Sequence, residues 1–237
     1  MLAAGLWALL AASSLVAGAL LSLTGWIQGR SLKLLIAFGA GTLVSAVAYD
    51  LVEEAVRVSA TGLSVGAGFV TGALAYYAGD ELVDRMGGGS AGDDGGGVPI
   101  LLGAVLDGIP ESIVLGLTLV GGGPPSLAII VAIFVSNVPE SVAASTKMRA
   151  KGRSAAWIVG IWSIVAIASA AAAAIGFGLL SGASGEHIAF MNAFAAGAIL
   201  VLLADELLPE AHGESDKVVG LMTALGFALA AFLSFSE

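Results

Sequence analysis

Apolar stretches recur along the whole chain, each parted from the next by a short polar or glycine-rich break. Runs of about 20 apolar residues in helical form match the hydrocarbon thickness of a bilayer. The pattern predicts spans over 2–25, 32–53, 61–83, 98–121, 126–146, 155–180, 187–210 and 217–235. The breaks carry turn residues, as in Gly29-Arg30-Ser31 and Gly121-Gly122-Gly123-Pro124-Pro125. The longest break, 84–97, holds Gly87–Gly89, Asp93-Asp94 and Gly95–Gly97, and reads as a flexible loop. The first span has no basic residue before its apolar core and outruns the roughly 7–15 residues of a signal-peptide core, so a membrane helix is expected there. The expectation is an all-α, polytopic membrane protein of eight helices, with residues 1–237 as a single domain.

Composition strengthens this reading. Apolar residues make up 58% of the 237 positions and charged residues 11%, with a mean hydropathy of +0.99. A soluble domain carries roughly 25% charged residues, so lipid is expected to cover much of this surface. No cysteine is present, which excludes disulfides and thiolate metal sites. The net charge of -9 argues against nucleic acid as a partner. In a membrane chain, surplus acid points to cation traffic, an acidic proteome being the plainer alternative. Alternate connections hold Arg30 and Lys33, then Arg85, then Lys147, Arg149, Lys151 and Arg153, then Lys217; the others hold only Arg57. The positive-inside rule then puts the first set, with the 84–97 loop, in the cytoplasm, and both termini outside the cell membrane.

The chain also repeats itself. Phe38, Ala40, Gly41, Ala48, Leu51, Glu54 and Ala55 in the second span recur at one offset as Phe194, Ala196, Gly197, Ala204, Leu207, Glu210 and Ala211 in the seventh. These spans run in opposite directions, as an inverted repeat of helices 1–3 and 6–8 requires, with helices 4 and 5 between them. A second pair, Gly108-Ile109-Pro110-Glu111-Ser112 and Asn137-Val138-Pro139-Glu140-Ser141, sits near the centres of the fourth and fifth spans.

Those centres carry the candidate chemistry. Asp107 and Glu111 are one helical turn apart, Asn137 and Glu140 share a face, and Ser136 lies one turn before Glu140. Pro110 and Pro139 each free a carbonyl one turn back, near residues 106 and 135. A carboxylate at the bilayer centre costs at least ~2.5–3.5 kcal/mol, and no Lys or Arg is predicted at that depth. Protons or a cation must compensate. Protonated acids that hold helices together and a proton relay are two readings of this set. A metal site is the third, since carboxylates, an amide and a hydroxyl form an all-oxygen set suited to hard or borderline divalent cations.

With these motifs the chain resembles the ZIP (Zrt-/Irt-like protein) family of divalent metal transporters. Members are eight-helix proteins with both termini outside, and their fourth helix typically reads His-Asn-x-Pro-Glu-Gly. Here that place reads Asp107-Gly108-Ile109-Pro110-Glu111-Ser112, the fifth helix Ser136-Asn137-Val138-Pro139-Glu140-Ser141, and the seventh ends Asp205-Glu206-Leu207-Leu208-Pro209-Glu210-Ala211-His212. The resemblance implies transport of Zn, Mn, Fe or a similar ion toward the cytoplasm. It implies ligation by Asp107, Glu111, Asn137 and Glu140, with Ser136 marginal. The sequence departs from the family at Asp107 for histidine and Gly108 for asparagine. It departs again at Ser169 for a glutamate of the sixth helix and Leu43 for a methionine of the second, so a second metal site is not expected.

Asp50, Glu53 and Glu54 near one end of the second span, and Asp205, Glu206, Glu210 and His212 at the seventh, are candidate mouths of a cation pathway, together with Ser169 in between. Solvated helix ends are the alternative for Glu53 and Glu54. Trp26 and Trp157 fall at expected interfaces, and Trp7 and Trp162 at packing positions. No resident cofactor is expected, since the metal is cargo; the partners are the ion and the lipid bilayer, and a homodimer is admitted. An intramembrane protease is excluded, because Ser184 and His212 fall at opposite membrane faces. A proton-coupled carrier of a non-metal solute and a transport-inactive metal sensor stay open as alternatives.

Overall fold

The computed structural model describes residues 1–85, 98–120, 125–212 and 217–236. Residues 86–97, nearly all of the predicted glycine-rich loop, lie outside the described residues. Among the described residues there are eight helices and no strand. They are α1 (Leu2–Thr24), α2 (Arg30–Val58), α3 (Leu63–Arg85), α4 (Val98–Leu117), α5 (Leu127–Ala150), α6 (Ala155–Leu180), α7 (Gly185–His212) and α8 (Lys217–Ser234). Each answers to one predicted span. Six of them, all but α3 and α4, are long and apolar enough to cross a bilayer. Large apolar side chains face outward along these helices, among them Leu6 and Leu10 on α1, Ile164 and Leu179 on α6, and Leu225 and Phe232 on α8. Lipid tolerates such faces and water does not, so the bundle fits a polytopic membrane protein. Trp7, expected in packing, is 39% exposed and lies on the outward face of α1 instead, whereas Trp162 is fully buried and donates to Ser145 Oγ at 2.8 Å.

Helix starts follow the local sequence. Ser126 accepts from the Ile129 N–H at 3.3 Å and Ser154 from the Trp157 N–H at 3.2 Å, capping α5 and α6. Both described chain ends fall at one end of the bundle, where Met1 lies against Gly178 and Ser234 against Asp50. This is the first end below; the second end holds the turn after α5, with Lys147 and Arg149.

Helices α2 and α7 run past their predicted ends, and each contains a π-helical segment, Ala46–Val52 in α2 and Leu203–Leu207 in α7. In both, the N–H just after the segment bonds five residues back: Glu53 to Ala48, and Leu208 to Leu203. Pro209 offers no N–H to the Asp205 carbonyl, a local reason for the widened turn in α7. No proline stands near the α2 segment.

The closest packing is backbone on backbone. A Cβ added at Gly41 of α2 would fall on the Thr223 carbonyl of α8, and one at Gly226 of α8 on the Phe38 carbonyl of α2. In the α3–α7 pair, Gly72 meets the Phe194 carbonyl and Gly197 the Phe69 carbonyl in the same way. Without a hydrophobic force between helices in lipid, such small-residue contacts supply much of the association energy. On α5, Ser136 Cα and the Val135 carbonyl stand 2.9 and 3.2 Å from a Cβ built on Gly39 of α2. The carbonyl freed by Pro139 therefore lies in the α2–α5 seam.

A side chain at Gly72 or Gly197 meets backbone that cannot yield. Gly72→Val and Gly197→Val should each destabilise the detergent-solubilised protein by about 1–3 kcal/mol, read as a lower thermal midpoint. Gly66→Ala, with open space around it, should be neutral or slightly stabilising. Unchanged midpoints for both valine variants would mean that α3 and α7 do not meet at these glycines.

Candidate functional site

The predicted acids meet in the interior. Asp107 and Glu111 of α4 are each 6% exposed, Asn137 of α5 is 3% and Ser136 1% exposed, and Glu140 is half-buried. One narrow cavity of about 10 Å³, room for about one water-sized sphere, is lined by Asp107, Gly108, Glu111, Asn137, Glu140 and Ser169 among others, with Ala8, Ala12 and Leu15 of α1 on its apolar side. Four helices thus contribute to it. No Lys or Arg lines it.

The helical repeat explains the grouping. Asp107 and Glu111 project from consecutive turns of α4, and Asn137 and Glu140 from one face of α5. The prolines leave both helices continuous. Next to them, Ser112 Oγ donates to the Gly108 carbonyl at 2.6 Å and Ser141 Oγ to the Asn137 carbonyl at 2.8 Å, so those hydroxyls are engaged. Asn137 and Ser136 face the Glu111 carboxylate, and Ser136 also donates to the Ile133 carbonyl at 3.1 Å. Gly108 brings α4 close to α6: a Cβ built there would lie 3.2 Å from Ser169 Oγ. Leu43 is buried in the main apolar core.

From this cavity a file of carboxylates leads to the second end. The charge of Asp107 bears on Glu111, those of Glu140 and Glu206 on Asp107, and those of Glu111, Glu206 and Glu210 on Glu140. Asp80 and Asp84 of α3 stand beside Glu206, and Asp205 beside Asp80. Glu210 lies 3.5 Å from Lys147 in an exposed pair, and His212 Nδ1 lies 3.1 Å from the Leu208 carbonyl in the last, exposed turn. Asp205 and Glu206 belong to the π-helical segment of α7, a distortion often found at functional sites.

At the first end, Asp50 sits in the π-helical segment of α2 and accepts from Ser126 Oγ at 2.9 Å and Ser234 Oγ at 3.4 Å, so three helices meet at it. Glu54 pairs with Arg57 on the surface and Glu53 is exposed, which is the solvated-end alternative. His187 lies 2.7 Å from Ser184 Oγ in the exposed first turn of α7. Ser45, one turn before Asp50 and fully buried, has no hydrogen-bond partner for its hydroxyl among the described residues.

Sequence reasoning predicted α3 as a span but placed no site residue on it. The Tyr76 hydroxyl donates to Asp107, and it lies 2.5 Å from Glu206 Oε1. A signal was present: Gly68, Gly72, Tyr76, Asp80 and Asp84 are spaced by four and share one face. A tyrosine inside an apolar span must find a partner for its hydroxyl. The glycines bring this face against α7, and the polar residues continue it toward the second end.

In the described residues the carboxylates are not gathered tightly enough to form a ready metal cage. They are engaged with Tyr76, Asn137 and Ser136 instead. The donors are all oxygens, which suits Mn, Fe, Zn or Mg better than soft ions.

No family model matches the chain. A protein of Arabidopsis thaliana provisionally named a zinc transporter is 28% identical over 184 residues, covering 75% of this chain. The chain spans only 29% of that relative's length.

The cavity acids should govern cation binding. Glu111→Gln and Glu140→Gln should each weaken Mn binding to the purified protein at least tenfold by isothermal titration. Glu81→Gln, which breaks only an exposed pair with Arg85, should leave it unchanged. Equal affinities across the three variants would separate the cavity from cation binding.

Proposed function

We propose that this protein carries a divalent metal ion across a cell membrane, toward the cytoplasm, through the cavity of Asp107, Glu111, Asn137 and Glu140, with Ser136 as a marginal donor. One observation carries the reading: three carboxylates converge in the interior of a membrane bundle on a cavity that no Lys or Arg lines. Each costs at least ~2.5–3.5 kcal/mol at that depth, so a cation is the compensation the site calls for. The cavity holds about one water-sized sphere, which favours a bare or partly hydrated ion over an organic solute. The similarity to a protein named for zinc transport supports the same direction of argument.

Residues 1–237 act on this reading as one transporter domain of the ZIP type, with no catalytic chemistry of its own. The ion sheds water as the carboxylates and Asn137 close on it. It then passes Glu206, Asp205 and Glu210 toward the basic end, which the positive-inside rule assigns to the cytoplasm. Asp50 guards the outer mouth.

The inverted repeat belongs to the proposal, and several contacts support it. An offset of 156 relates Phe38 and Gly41 to Phe194 and Gly197, an offset of 154 relates Gly72 to Gly226, and these glycines have matching partners. Gly41 stands against Thr223 and Phe227, Gly197 against Phe69 and Ala73; Gly226 meets Phe38, Gly72 meets Phe194. The π-helical segments fall at corresponding places in α2 and α7. An exchange of the two halves is the usual basis of alternating access.

In proteoliposomes holding a metal-sensitive dye, the wild type should take up Mn, Fe, Zn or Co, and Glu111→Ala/Glu140→Ala should lose the uptake. Proton or solute flux without metal flux, needing the same glutamates, would replace the metal by another cargo; metal binding without flux would leave a sensor. Since the chain has no cysteine, sidedness can be read by single substitutions. In whole cells an impermeant maleimide should label Ser181→Cys directly and Ala155→Cys only after permeabilisation; the reverse pattern would invert the topology.

A further inference from the structure

Tyr76 is 3% exposed and stands where three helices meet. Its hydroxyl oxygen contacts Asp107 of α4 and Glu206 of α7. These two carboxylates differ in role on the reading above, which this inference extends: Asp107 is a ligand of the cavity, and Glu206 begins the way out. A phenol has one hydrogen to give, so one hydroxyl serves two acceptors, and Asp107 has an oxygen taken up by the protein itself. An ion that takes Asp107 through both carboxylate oxygens displaces that contact.

The arrangement has no counterpart at the other mouth. The offset of 154 that relates Phe69, Gly72 and Ala73 of α3 to Thr223, Gly226 and Phe227 of α8 puts Ala230, fully buried, in the place of Tyr76. The offset between α2 and α7 puts Asp50 in the place of Glu206, and Asp50 is held by Ser126 and Ser234. Among the described residues a phenol therefore bridges cavity and mouth on the Glu206 side alone.

We propose that Tyr76 is a positioning residue of transport: its hydroxyl latches Asp107 to Glu206 while the cavity is empty, competes with the ion for Asp107, and releases Glu206 toward the exit when the ion takes its place. The ion thus opens its own way out, and only on one side. A hydrogen bond to a carboxylate is among the stronger ones, so the competition sets the affinity for the ion as well as the order of steps.

Tyr76→Phe keeps the ring and removes the hydroxyl. In dye-loaded proteoliposomes its KM for Mn should fall at least threefold below wild type, with the thermal midpoint retained. A filler of space would leave KM unchanged, and a hydroxyl that ligates the ion would raise it; either result overturns the latch. On wild-type protein, ultraviolet resonance Raman of the tyrosine bands during Mn titration gives a second reading, independent of whether the variant folds. One of the three tyrosines should change its hydrogen bonding as the ion binds, and unchanged bands overturn the proposal. Failure of metal transport itself is reported separately by wild type against Glu111→Ala/Glu140→Ala.

Discussion

Carboxylates in the middle of an apolar bundle are the constraint on which the rest of this structure depends. Asp107 and Glu111 are removed from water, Glu140 is half-buried beside them, and no basic side chain lines their cavity. In hydrocarbon each needs a partner, and the fold supplies partial ones: Asn137 and Ser136 beside Glu111, and Tyr76 on Asp107. These neutral donors hold Asp107 and Glu111 in place without supplying a countercharge. On the proposed reading, a site so compensated takes a cation, and its all-oxygen donors suit several divalent ions rather than zinc alone.

The place of Glu206 beside Tyr76 follows from how closely paired helices mesh. Gly41 and Gly226 stitch α2 to α8, and Gly72 and Gly197 stitch α3 to α7, each by contact with a backbone carbonyl. Such contact fixes the register of the paired helices, since a slip of one residue would bring a Cβ onto a carbonyl. Register in turn sets where Tyr76 meets Glu206, because the same face of α3 carries Gly68, Gly72 and Tyr76. Packing near one end of α3 thereby determines polar geometry near its middle.

The two ends of the bundle are built alike and finished differently. Each has an acid in a π-helical segment, Asp50 in α2 and Glu206 in α7. The widened turns carry these acids on helices that stay continuous around them. Asp50 is held by two serine hydroxyls at the edge of the bundle, while Glu206 is tied inward through a phenol to the cavity. The two ends of the bundle therefore differ in chemistry as well as in their basic residues.

The sequence by itself determined the number and order of helices, because about 20 apolar residues in a row have one favourable fate in a bilayer. It also determined which acids share a face, because the spacing of Asp107 with Glu111 and of Asn137 with Glu140 leaves the helical repeat no choice. It determined little about α3, whose glycines and tyrosines look unremarkable in hydropathy, or about the π-helical segment of α2, which no nearby proline marks. Tertiary structure alone brought Tyr76 onto Asp107 and Glu206, set Ser169 against Gly108, and sent Glu54 to an exposed pair with Arg57 while Asp50 turned inward. The reason is that periodicity reports which residues of one helix lie together, whereas the partner of each face is chosen by close packing between helices far apart in the chain.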